Sequence, residues 1–69
     1  MTKFFDAKIT CRLHGSIGAV EPVTIFMIRH DDTEPSVERV VKAATDLGYE
    51  HIMVREIIET VDPAMKGLI

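Results

Sequence analysis

Cys11 and His14 stand three residues apart, a spacing that can offer a thiolate and an imidazole to one metal ion. His30, Asp31, Asp32 and His51 supply enough further donors to complete a tetrahedral zinc set. The surrounding pattern works against this chemistry. From Phe5 to His14 apolar and polar residues alternate without a break, with Phe5, Ala7, Ile9, Cys11 and Leu13 on one side and Asp6, Lys8, Thr10, Arg12 and His14 on the other. On such a strand Cys11 and His14 leave opposite faces and do not converge. The same placement denies Cys11 the exposure and the neighbouring base that a nucleophile needs, and reads it as a small buried hydrophobe. His30-Asp31-Asp32 are consecutive and point in different directions, so they read as a polar joint before a helix whose positive dipole end the carboxylates complement. No catalytic, cofactor-binding or metal-binding set is expected, and the chain is read as a non-enzyme.

Gly15 and Gly18 form a G-x-x-G loop, a pattern that in one nucleic-acid-binding fold clamps a backbone between two helices. Here it lies between two strand-like runs and lacks flanking lysines, so it reads as a turn. Four aromatic residues, Phe4, Phe5, Phe26 and Tyr49, are too few and too poorly interleaved with basic residues for a base-stacking platform. The net charge is −3, and it is unevenly spread: residues 1–30 hold four basic and two acidic residues, residues 31–69 four basic and nine acidic. A phosphate-binding footprint needs clustered Lys and Arg, which only Lys8 and Arg12 on the polar side of the first strand approach; nucleic acid is therefore not the expected ligand. A basic protein surface suits this balance better.

The elements that would position these residues are clearly marked. After the strand from Phe5 to His14 and the glycine turn, a second strand is expected from about Pro22 to Arg29, giving a hairpin to whose returning strand Val20 is also assignable. This second strand is apolar on both sides, with Val23, Ile25 and Met27 on one and Phe26 and Ile28 on the other. Thr33 to Gly48 reads as a helix: Thr33 as cap, Glu34 at the dipole, Pro35 in the first turn and Gly48 as the stop. Val37, Val40, Val41, Ala44 and Leu47 make its apolar stripe, and Glu38 stands four residues before Lys42 on the polar side. Residues 51–61 fit either a helix, through Val54, Ile57, Ile58 and Val61, or a third strand. The strand is preferred, because a hairpin with one helix is hardly stable alone. Its apolar faces match only if a bulge near Arg55-Glu56 brings Ile52 and Val54 to the side of Ile57, or if this strand too is covered on both faces. Asp62-Pro63 should end it, residues 64–69 read as a loose turn or tail, and residues 1–4 as a loose start. Met27, Met53 and Met65 sit in apolar surroundings that suit gap-filling.

The expected architecture is one small α+β domain of order β-β-α-β over residues 1–69, a three-stranded, mainly antiparallel sheet of order 2-1-3 with one helix on one face. That arrangement resembles half of a ferredoxin-like fold, in topology alone, and the same small topology occurs in several ribosomal proteins and phage-encoded inhibitors. One cysteine excludes an internal disulfide framework and fits a reducing compartment. No stretch approaches the roughly 20 apolar residues of a membrane span, and the N-terminal residues lack a signal-peptide run, so a cytoplasmic protein is expected.

Function is expected to follow from surplus hydrophobicity. A single helix covers one face of a sheet whose second strand, at least, is apolar on both, so another chain should pack there. The expected contact set is Val23, Ile25 and Met27, or else Phe26 and Ile28, with Met53 or Ile57, the other chain being a second copy in a homodimer or a larger protein. Glu34, Glu38, Glu56 and Glu59, with Asp46 and Glu50, should steer the domain toward a basic partner surface. The size and acidity fit a small regulator or inhibitor, such as an anti-CRISPR protein encoded by a phage or mobile element. The alternative is a small oligomeric ligand- or metal-binding protein with an intersubunit pocket using Cys11, His14 and His30.

Overall fold

The computed structural model describes residues 2–62. The chain runs β1 (Lys3–Leu13), β2 (Glu21–Arg29), α1 (Val37–Asp46) and β3 (Tyr49–Thr60). The sheet order is β2-β1-β3, and β1 pairs antiparallel with both neighbours. This is the small α+β architecture expected. The first strand begins at Lys3, two residues before the alternation starts, because Lys3 still pairs with Arg29 and Phe4 with Ile28. The tail expected over residues 64–69, and the role expected of Met65, lie outside the described residues.

The hydrophobic alternation of β1 sets the core. Phe5, Ala7, Ile9 and Cys11 are all buried on the face that α1 covers, while Leu13 at the strand end is exposed. Against Ala7, Ile9 and Cys11 pack Ile25 of β2 and Val40 and Ala44 of α1, with Val23, Met27, Tyr49, Ile52, Val54 and Ile57 partly buried around the rim. Ile9, Cys11 and Val40 are the most completely enclosed side chains, and burial raises the Cys11 thiol above its ordinary pKa, which disfavours the thiolate.

The turn between β1 and β2 spends its glycine where expected, Gly15 taking a φ of 83° while Ser16 N–H bonds Leu13 C=O at 3.0 Å. Val20 stays outside the strand, which resumes at Glu21.

The third strand confirms the expected bulge. Lys8 faces Glu56 and Ile9 faces Val54, so Arg55 has no partner on β1, and the extra residue brings Val54 and Ile57 onto the covered face together. A second irregularity falls opposite Cys11, between the pairs Thr10–Met53 and Arg12–Glu50, where His51 adopts a φ of 54°. Nothing in the sequence marks that position.

The helix starts later than expected. Its cap is Ser36, whose Oγ accepts the Arg39 N–H at 3.2 Å, and Pro35 precedes the cap instead of occupying the first turn. Pro35 and Val40, the positions before the cap and four residues into the helix, are both buried, which is the spacing of a hydrophobic staple. Thr33 is engaged elsewhere. Its N–H and hydroxyl both donate to Asp31 Oδ1, at 3.1 and 2.7 Å, while Arg29 donates to Thr33 C=O, Thr33 Oγ1 and Asp31 Oδ2. The acidic joint thus closes on itself as a turn rather than capping the dipole. Hydrogen bonds from Thr33, with Arg29 nearby, hold the Asp31 carboxyl below its ordinary pKa.

The helix ends as expected, with Leu47 as cap and Gly48 at φ 95°, and the Gly48 carbonyl accepts His14 N–H at 2.8 Å to pin the helix exit to the end of β1. Its apolar stripe is less buried than expected. Val40 and Ala44 are enclosed, but Val37 and Leu47 are mostly exposed, since each stands at an end of a ten-residue helix with no flanking turn to close over it. On the polar side Lys42 pairs with Asp46 at 3.5 Å instead of with Glu38.

Candidate interaction surface

Among the described residues, nothing covers the sheet face opposite α1. Phe4, Asp6, Lys8, Thr10 and Arg12 of β1 project there, joined by Thr24, Phe26 and Ile28 of β2 and by Glu50, Met53, Glu56 and Ile58 of β3. The face divides along its length. Toward the start of β1, the pairs Phe4–Ile28, Asp6–Phe26 and Asp6–Ile58 gather the apolar groups; farther along, Lys8–Thr24, Lys8–Glu56 and Arg12–Glu50 make a polar half.

Phe4 and Phe26 stack with ring centroids 5.7 Å apart and planes 12° from parallel, a diagonal cross-strand contact that shapes the apolar half. Phe26 is nevertheless 39% exposed, Ile28 51%, Ile58 38% and Met53 54%. Met53 therefore fills no gap in the core; it faces outward across from Thr10. Met27 does pack against the core's rim.

These positions divide the residues expected to make the contact. Val23, Ile25, Met27 and Ile57 lie on the covered side, packed on the core, whereas Met53 lies on the open side with Phe26 and Ile28. Met53 and Ile57 are four apart and would share a face on a regular strand; the Arg55 bulge between them puts them on opposite faces. Phe4 and Ile58 complete the open apolar cluster, and an alternation count extended from Phe5 back to Phe4 would have found the first.

The acidic residues do not gather on one patch. Glu59 pairs with Lys3 at 3.7 Å, Glu38 sits in the first turn of α1, and Glu34 and Glu56 flank an open cleft of about 470 Å³ beside the helix start, with Val54 and Ile57 in its lining.

The polar half is organised by Glu50. One carboxylate oxygen accepts Gly15 N–H at 2.9 Å and lies 3.1 Å from His14 Nδ1; the other lies 3.3 Å from an Arg12 nitrogen and 3.1 Å from His51 Nε2. The Gly15 hydrogen bond, then Arg12 and His14, hold the Glu50 carboxyl below its ordinary pKa. The same Arg12 nitrogen lies 2.9 Å from His51 Nε2. Arg12 Nε is buried without an acceptor among the described residues.

Cys11, His14 and His30 are not brought together. Cys11 is enclosed in the core, His14 projects at the strand end against Glu50, and His30 meets Thr2 at 3.3 Å. The guanidinium of Arg12, set against both His51 and Glu50, already fills the position of a cation, and among the described residues no group of three His, Cys, Asp or Glu side chains is arranged to hold a metal.

The geometry defines a small α+β domain with one packed and one open sheet face. No protein-family model matches the chain, and no curated protein or solved structure matches it either. Among the described residues, no helix is long and apolar enough to cross a membrane.

Proposed function

We propose that this protein is a non-enzymatic interaction module, a small acidic regulator or inhibitor that docks on a larger protein through its open sheet face. The observation that carries the reading is the apolar cluster of Phe4, Phe26, Ile28 and Ile58, which leaves large side chains in contact with water on a chain too short to spare them. Phage and mobile-element inhibitors of host machinery, anti-CRISPR proteins among them, have this size and acidity, and the reading places the protein in that functional class and in the cytoplasm. The net charge of −3 favours a partner with basic surface.

Capture from extracts of the native host tests it, using wild-type protein beside Phe26→Ser and Ile28→Ser. A partner retained by wild type and lost by both variants, which keep their folded circular dichroism spectrum, is the expected result. A partner held equally by all three would overturn the assignment of the open face. A homodimer in sedimentation that the same two variants dissociate would make the second copy the occupant instead.

A further inference from the structure

The apolar half of the open face is centred on a carboxylate that the fold leaves unsatisfied. Asp6 lies half-buried on β1, the central strand, with Phe26 and Ile58 as its direct partners on the two sides and Phe4 two residues away on the same face. Among the described residues it makes no hydrogen bond or ion pair, although Arg12, Arg29, Lys3 and Lys42 all do. A partner that covers this cluster must also strip water from Asp6, and an apolar surface offers nothing in return.

A second copy answers poorly. A twofold contact centred on this cluster brings the two Asp6 carboxylates near one another, where like charges repel. A cation answers well, and the surroundings favour one kind. A guanidinium can bond a carboxylate through two parallel N–H groups while its plane rests against an aromatic ring, and the exposed ring of Phe26 is adjacent.

We propose that Asp6, framed by Phe4, Phe26 and Ile58, receives an arginine side chain of the partner protein, flanked in the partner by apolar residues that cover the rest of the cluster. This rests on the open face being the docking surface. Asp6 is then the specificity residue of that surface, and the apolar residues around it exclude water from the ion pair.

Selection of a random peptide library against the wild-type protein tests this without knowledge of the natural partner. The expected peptides carry one arginine between apolar residues, and their affinity falls by about tenfold or more on Asp6→Asn and on Phe26→Ser. Replacing the peptide arginine by lysine should weaken binding, and by alanine abolish it. Asp6→Asn preserves size and shape, and a melting temperature within a few degrees of wild type confirms that each variant is folded. Peptides that lose binding on Phe26→Ser yet ignore Asp6→Asn and lack a basic residue would overturn the arginine site while leaving the docking face intact. Peptides that prefer lysine would overturn the guanidinium assignment. If no selected peptide responds to Phe26→Ser, the site and the docking face fall together.

Discussion

Ile25 and Phe26 are neighbours on β2 whose side chains leave the sheet in opposite directions; Ile25 is 7% exposed and Phe26 39%. The covered face behaves as a core, with Ala7, Ile9 and Cys11 clustered with Val40 and Ala44, and Phe5 buried on the same side. The open face carries comparable apolar groups with no lid among the described residues. What differs is the cover, and on the proposed function the two sides do different work: one holds the domain together and the other meets another chain. Substitutions on the two faces should therefore separate stability from binding.

The largest expected effect is on the covered side. Ile9→Ala removes a fully enclosed side chain at a cost of about 2–5 kcal/mol, comparable to the ~3–5 kcal/mol that a core of this size supplies, so the variant should be mostly unfolded in a thermal or urea melt. Phe26→Ser, on the open side, should cost under about 1.5 kcal/mol, chiefly the ring stack with Phe4, and remain folded. Similar losses for both would erase the distinction between the faces.

A smaller effect tests the lid itself. Ser36→Ala removes the cap of α1 and should cost about 1 kcal/mol, whereas Thr33→Ala disturbs only the Asp31–Arg29 turn and should leave helix content unchanged by circular dichroism. The reverse ranking would return the helix start to Thr33.

The helix start shows where the sequence became ambiguous. Thr33-Glu34-Pro35 and Ser36 each satisfy the rules for a start, and the choice was decided by Asp31 and Arg29, which engage Thr33 through contacts that local preference does not register. The alternation of β1 was legible throughout because one dry face fixes both register and direction. The Arg55 bulge was legible as one of two alternatives, the other being a third strand covered on both faces, and the register decides for the bulge. The His51 irregularity was not, and with it went the Glu50 cluster, since a positive φ at a histidine leaves no residue signature and only that shift in register sets Arg12 opposite Glu50. The open cluster was half legible: Phe26 and Ile28 stood as one of two alternatives, and the choice depended on which face the helix takes.

The smallest expected effect lies in the polar half of the open face. Glu50 is held below its ordinary pKa in the folded state, so its contribution is fully present above the unfolded value of about 4.3 and is lost as pH falls through the lower folded value. Glu50→Gln should therefore reduce stability at neutral pH and flatten its decline below about pH 5. An acid limb identical to wild type would show that Gly15, Arg12 and His14 do not stabilise the charged carboxylate.

The proposed function requires that the open face, and not the covered one, meets another chain. Methyl-resolved NMR of the protein with and without its captured partner tests it most directly, because isoleucines report from both sides: Ile9 and Ile25 from the core, Ile28 and Ile58 from the open cluster. The account predicts that the Ile28, Ile58 and Met53 methyl signals shift or broaden on binding while Ile9 and Ile25 stay in place. Changes concentrated at Val37, Leu47 or Ile57, with Ile28 and Ile58 unmoved, would contradict it.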